Sequence, residues 1–258
     1  MVNLISELWE NRNIIFLLSI TDIKLKYKNS VLGFIWSFLE PLLMLGILYF
    51  VFSNIFKNNI ENYPIYLLLG LIIWYMFSRG TTMGSSSLID KSGILKTIYF
   101  RREIVVISSS ITSLIMFCLE FLAFGMFLII FQFVPPITIL LLPLLIVDLF
   151  ILTLGVSLIL SILYVHLRDI KFIWQVVVQA GFFVSPIFYE LEMLPESIRS
   201  IMLLNPMVPI LITAQNLVLY NTLPTTNTLI FLLVFPIFIL IIGAKLFSMK
   251  SKGIVEKF

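Results

Sequence analysis

Apolar residues in this chain do not alternate with polar ones. They run on for most of about 20 residues, the length that crosses a bilayer, and then break at prolines, asparagines or clusters of charge. Six stretches have this form: residues 34–56, 64–87, 103–134, 137–165, 170–189 and 228–247. Between the fifth and sixth lie two shorter pieces, 195–205 and 207–220, each bounded by proline or asparagine. Both are too short to span and read as re-entrant or interfacial helices. Residues 1–33 are different again. There Leu4, Ile5, Leu8, Ile15 and Leu18 interleave with Glu7, Glu10, Arg12 and Asp22 at roughly helical spacing. That pattern predicts an amphipathic helix lying on the membrane surface. The apolar stretch 14–20 is short, follows Glu7 and Glu10 and lacks a small-residue cleavage site, so it does not read as a cleavable signal.

The distribution of positive charge orients these spans. Arg12, Lys24, Lys26, Lys28, Lys91, Lys96, Arg101, Arg102, Arg168, Lys171, Lys245, Lys250, Lys252 and Lys257 all fall on one side of the six-span scheme. Only Lys57 and Arg199 fall on the other. Positive residues stay cytoplasmic, so both termini are expected there. The chain is then one membrane domain: a cytoplasmic interfacial segment at 1–33, a membrane region at 34–247 and a cytoplasmic tail at 248–258. The expected fold is an all-α integral membrane protein with six transmembrane helices, the N-terminal interfacial helix and the two short re-entrant helices.

Composition agrees. Of 258 residues 60% are hydrophobic and 12% charged, with a mean hydropathy of +1.09. That charge fraction is about half the usual value and could not cover a soluble core. A net charge of +3 without a basic, aromatic-interleaved patch gives no sign of nucleic-acid binding. One cysteine, Cys118, and one histidine, His166, leave no disulfide framework and no metal-ligand spacing. No G-x-x-x-x-G-K-[ST] phosphate loop is present, so any nucleotide-driven work needs another subunit. No cofactor and no catalytic set is expected.

Three places carry polar chemistry inside the apolar runs. Ser78 to Ser87 is unusually polar for a span, and its Gly80-x-x-x-Gly84 spacing suits either a close helix seam or the wall of a conduit. Arg79, Glu120 and Asp148 lie about fifteen, fourteen and eleven residues in from the outer ends of their spans. Similar depth suggests one buried charge group, either a structural Arg–carboxylate pairing or a proton relay. Aromatics cluster along the first span (Trp36, Phe38, Tyr49, Phe50, Phe52) and at the end of the fifth (Phe182, Phe183, Phe188, Tyr189). They serve as packing or belt residues, or line a path where sugar C–H faces stack on rings.

The run Asp22-x-x-x-Lys26-Tyr27-Lys28-x-Ser30-x-Leu32-Gly33-x-x-Trp36-x-x-x-x-Pro41 resembles the opening motif of ABC-2 type permeases, closest to those exporting O-antigen, teichoic acid and related polysaccharides. Tyr66 to Trp74, Leu88 to Glu103, Arg168-Asp169-Ile170, Ser185 to Tyr189, Leu194-Pro195 and Asn205-Pro206 follow in the same order. The resemblance spans nearly the whole chain. It implies a homodimeric exporter permease in the cytoplasmic membrane, a separate ABC ATPase dimer as partner and a lipid-linked glycan as substrate. It also implies that the connection carrying Lys91, Leu95, Lys96, Tyr99, Phe100 and Arg102 couples to the ATPase. Trp36, Tyr49, Phe182, Phe183 and Tyr189 become candidates for the substrate path. One departure stands out: where the family has Phe-Pro-Arg, this chain reads Phe100-Arg101-Arg102. Rival readings are an ABC-2 exporter of drugs or lipids, an ion-coupled transporter using the three deep charges, and a membrane subunit of a glycan-synthesising complex.

Overall fold

The computed structural model describes residues 9–55, 60–97 and 100–251. The helices are α1 (Arg12–Lys26), α2 (Trp36–Ile55), α3 (Tyr63–Asp90), α4 (Ser92–Thr97), α5 (Glu103–Ile130), α6 (Leu142–His166), α7 (Ile170–Val184), α8 (Glu196–Met202), α9 (Met207–Gln215) and α10 (Thr226–Lys250). Short 3-10 turns precede α2 and α6, and a π-helical turn at Asn216–Tyr220 extends α9. No strand occurs among the described residues. Helices α2, α3, α5, α6 and α10 are long and apolar enough to cross a bilayer. The expected α-helical membrane architecture is therefore the observed one. Leu4, Ile5 and Leu8 of the interfacial pattern and residues 252–258 of the tail lie outside the described residues.

The bundle is organised around α3, which packs against α2, α5, α6, α7 and α9. Lipid offers no hydrophobic drive for one apolar helix to leave it for another, so close backbone approach must hold the helices together. Small residues supply that approach. A Cβ on Gly80 would stand 2.4 Å from Thr153 Cγ2, and one on Gly84 would stand 2.4 Å from Ser157 Cβ. The α6–α10 contact is backbone to backbone, since a Cβ on Gly155 would lie 2.7 Å from the Leu240 nitrogen. Facing Gly243, it lets the two backbones touch. Hydroxyls bridge the same seams: Ser113 donates to the Met76 carbonyl at 2.7 Å and Ser157 to the Gly80 carbonyl at 3.2 Å.

Helix α1 lies along the start of α5. Ser19 donates to the Ser108 carbonyl at 2.9 Å, Thr112 donates to the Ser19 carbonyl at 3.3 Å, and Ile15 and Leu18 pack on Ile104. The amphipathic segment is thus anchored by its apolar face.

The fifth expected span, 170–189, has two parts. Helix α7 ends at Val184 because Ser185 is extended (φ −87°, ψ 146°), the conformation that a following proline imposes. Residues 185–189 then run as irregular backbone buried beside α3. Such backbone is tolerated at membrane depth only if its polar groups are met by protein. Tyr63 donates to the Phe188 carbonyl at 2.8 Å, Tyr66 to the Tyr189 carbonyl at 2.7 Å, and Gln215 to the Pro186 carbonyl at 3.0 Å. The two short pieces that follow meet at 106°, the geometry of a broken span or a re-entrant loop. Asn205 fixes the bend, donating to Ser185 Oγ at 3.1 Å and accepting from the Met207 N–H at 3.0 Å.

This packing predicts a contrast between glycines. Gly155→Val should destabilise the detergent-solubilised protein by about 1–3 kcal/mol through overpacking. Gly125→Ala, which meets nothing within 4 Å, should be neutral or slightly stabilising. Thermal melting of the two variants measures this, and an undiminished melting point in Gly155→Val would refute the close α6–α10 seam.

Candidate functional site

The polar end of α3 has two faces, and each satisfies one of the two readings of its sequence. Gly80, Thr81, Gly84, Ser85 and Ser87 are buried in helix seams. Tyr75, Ser78, Arg79, Thr82, Met83 and Ser86, spaced three and four apart, form a half-exposed stripe on the opposite side. Helices α1 and α2 flank that stripe and leave two adjoining clefts. One, about 520 Å³, is lined by Lys26, Tyr27, Ser30, Trp36, Glu40 and Tyr75, with apolar residues of α2. The other, about 320 Å³, is lined by Asp22, Lys26, Arg79, Ser86, Asp90 and Lys91, among others.

Arg79 and Glu120 meet at the edge of this region, with Arg79 Nη2 2.5 Å from Glu120 Oε1. The Glu120 side chain is 0% exposed and that of Arg79 10%. The second Arg79 nitrogen, Nη1, and Glu120 Oε2 are buried without hydrogen-bond partners. Lys26 and Glu40 form a looser, half-exposed pair at 3.9 Å. Burial holds the Lys26 ammonium below its ordinary pKa, the Arg79 guanidinium adds to that, and Glu40 and Glu120 partly oppose it. Two cations and two carboxylates therefore share one field beside the clefts.

Asp148 does not join them, which corrects the three-membered group expected from depth alone. On α6, Leu149, Leu152 and Thr153 turn inward against the rest of the bundle. Asp148 instead lines a separate apolar cavity with residues of α9 and α10. Equal depth fixes height in the bundle but not azimuth around a helix, and one residue along α6 is a turn of about 100°.

The aromatic candidates also separate. Trp36 (41% exposed) faces the larger cleft, and Tyr49 and Phe183 (59% exposed) point outward. Phe182 is buried between Trp74 and Phe188, so it packs rather than lines a surface. Tyr189 turns back to donate to the Val184 carbonyl at 2.8 Å, closing the break after α7. Tyr27, Tyr75 and Glu40 also line the larger cleft; Tyr27 belongs to the opening motif, but none of the three is among the path candidates read from sequence. Tyr75, one helical turn before Arg79, was the available signal.

The α3–α5 connection is likewise divided. Lys91 is mostly buried, with Nζ 2.6 Å from Asp22 Oδ2 and within 3.3 Å of Ser108 Oγ. Within the chain its charge is paired, because α1 lies close against the end of α3. Leu95 is buried and Phe100 packs on the same small core. Ile94 and Lys96 face outward, and Arg102 is half-buried. Tyr99 lies outside the described residues.

Comparison with known proteins gives concordant matches. The family profile described as ABC-2 type transporter matches residues 14–219. An O-antigen export system permease protein of Myxococcus xanthus is 28% identical over 99% of both chains. One from Klebsiella pneumoniae is 30% identical over 78% of both chains. A polysialic acid transport protein of Escherichia coli is 23% identical over 92% of this chain and 93% of its own.

The ion pair makes a sharp prediction. Arg79→Ala leaves Glu120 buried and unpaired and should cost about 3–5 kcal/mol, read as a large fall in folded yield or melting temperature. Arg79→Leu combined with Glu120→Leu should recover most of that loss, because no charge is then stranded. If single and double variants are equally stable, the pair has no structural role.

Proposed function

This chain belongs to the ABC-2 type transporter family, and from that premise we propose that it is the membrane permease of an ATP-driven exporter for a lipid-linked polysaccharide. The observation that carries the reading is the match along 99% of both chains to an O-antigen export permease. Its geometry supports a transport component: polar side chains are arranged along clefts between helices. Hydrolysis then belongs to a separate ATPase subunit.

In this reading two copies face one another across the α2 and α7 sides, whose outward surfaces are largely uncovered. Trp36, Tyr49, Phe183 and the Tyr75 stripe lie along the path between them. Rings present apolar faces to sugar C–H groups, while Ser30, Ser78, Thr82 and Glu40 offer hydrogen bonds to hydroxyls. A lining of this mixed kind suits a long polar chain that must slide without binding tightly at any point. The ATPase would engage α4 through Ile94 and Lys96. A push there reaches α1 through the Lys91–Asp22 ion pair and α5 through the Lys91–Ser108 contact, so the walls on both sides of the cleft respond together. Both termini and α4 are taken as cytoplasmic on the lysine and arginine partition. An ion-coupled mechanism would need Arg79, Glu120 and Asp148 to act as one relay, and Asp148 stands apart from the pair.

Depleting this chain in its host should leave the lipid-linked glycan accumulating at the cytoplasmic leaflet while surface glycan falls. Unchanged surface glycan would overturn the reading. Orientation is checked separately in a Cys118→Ser background. A cysteine at Asn227 should react with an impermeant thiol reagent from outside the cell, and one at Thr97 should not. Lys96→Glu should weaken ATPase co-purification, whereas Asp22→Asn should preserve co-purification but reduce export.

A further inference from the structure

Asp148 lies in a place that transport does not explain. Its side chain lines a cavity of about 370 Å³ between the first turns of α6, the α9 extension and the start of α10. The remaining walls are apolar save for Thr213, and include Leu145, Leu217, Leu229 and Leu232. Asp148 itself is 8% exposed, and its Oδ2 is buried without a hydrogen-bond partner. It belongs to none of the ion pairs among the described residues. An ionised carboxylate in such surroundings is costly unless it pairs with a cation, and no cation lines the cavity.

The backbone beside it carries two irregularities. Pro236, four residues after Leu232, has no N–H. Leu217 lies in the π-helical turn, and Thr138 donates to its carbonyl at 2.6 Å, so that distortion is met within the chain. The cavity thus holds a carboxyl group and apolar walls, with no cation among the residues that line it.

Asp148 is six residues into α6, about 9 Å from the helix start. Leu223 and Pro224, in the connection before α10, close the end of the cavity. Leu144, Leu223 and Leu233 on the rim are well exposed, so the cavity opens sideways to the acyl chains.

We propose that this cavity is a binding site for an amphiphile bearing a primary ammonium. Asp148 would accept its N–H donors, and the leucine walls would take an acyl chain. A membrane aminolipid and a free long-chain amine share that chemistry. A quaternary ammonium of equal charge lacks the N–H donors and is excluded from the same contact. This inference is independent of which molecule the protein exports.

The test uses the full chain in nanodiscs of equal phosphatidylethanolamine and phosphatidylcholine, with retained lipid counted by native mass spectrometry. Wild type should retain phosphatidylethanolamine over phosphatidylcholine by about tenfold, the worth of one charge-assisted hydrogen bond, and Asp148→Leu should abolish the preference. If Asp148→Leu does not fold, Leu144→Trp, which narrows the mouth, carries the same expectation. Displacement of the lipid by dodecylamine but not by dodecyltrimethylammonium would assign recognition to the N–H donors of any such amine. A retained preference that neither displaces would assign the site to the lipid headgroup. Equal retention of the two lipids, or a preference that survives both variants, overturns the proposal.

Discussion

In lipid, a helix gains nothing by hiding apolar surface against another helix, and every architectural feature of this chain bends to that constraint. Helix α3 answers it by replacing side-chain bulk with glycines and hydroxyls where α5 and α6 arrive. The seam at Gly80 and Gly84 lets Thr153 and Ser157 approach to a distance that any Cβ would forbid. Ser113 and Ser157 then donate across the gap. From this fixed axis the rest follows. Tyr63 and Tyr66 at one end of α3 hold the irregular stretch after α7, and the stripe from Tyr75 to Ser86 at the other forms the floor of the clefts. One helix therefore serves as both the structural centre and the floor of the clefts, with the two roles assigned to opposite faces.

The charged residues obey a related rule. Arg79 is stabilised by Glu120 from the neighbouring helix, Asp22 by Lys91, and Lys26 by Glu40. Each pair joins two different elements, so each also sets their relative position. The Asp22–Lys91 contact is the most consequential of these. It ties the surface helix to the turn before α4, making the two a single mechanical unit at the base of the bundle.

Much of this was legible in the sequence because length and hydrophobicity are linear properties. Apolar runs of span length, prolines at their ends and the lysine partition gave the element order, and the boundaries of α5 and the re-entrant pair fell close to where they were expected. The shortness of α7 was visible only in Ser185-Pro186, which reads as part of a motif until the break is seen. What failed was azimuth. Asp148 shares depth with Arg79 and Glu120 but faces another way, and Phe182 and Phe183 are adjacent in sequence yet one is core and one surface. Lys91 looked like its neighbour Lys96, but the fold brings Asp22 against it from 69 residues away. Which face a residue occupies depends on helix rotation, which no local pattern encodes.

Helix α7 spans 15 residues, about 22 Å along its axis, where the hydrocarbon layer is about 30 Å thick. The stretch after it does not lengthen the span, because residues 185–188 are buried beside α3 and their carbonyls are met by Tyr63, Tyr66 and Gln215. Of the residues of α7 itself only Phe182 is buried. A helix this much shorter than the hydrocarbon is accommodated by local thinning of the bilayer or by headgroups drawn inward.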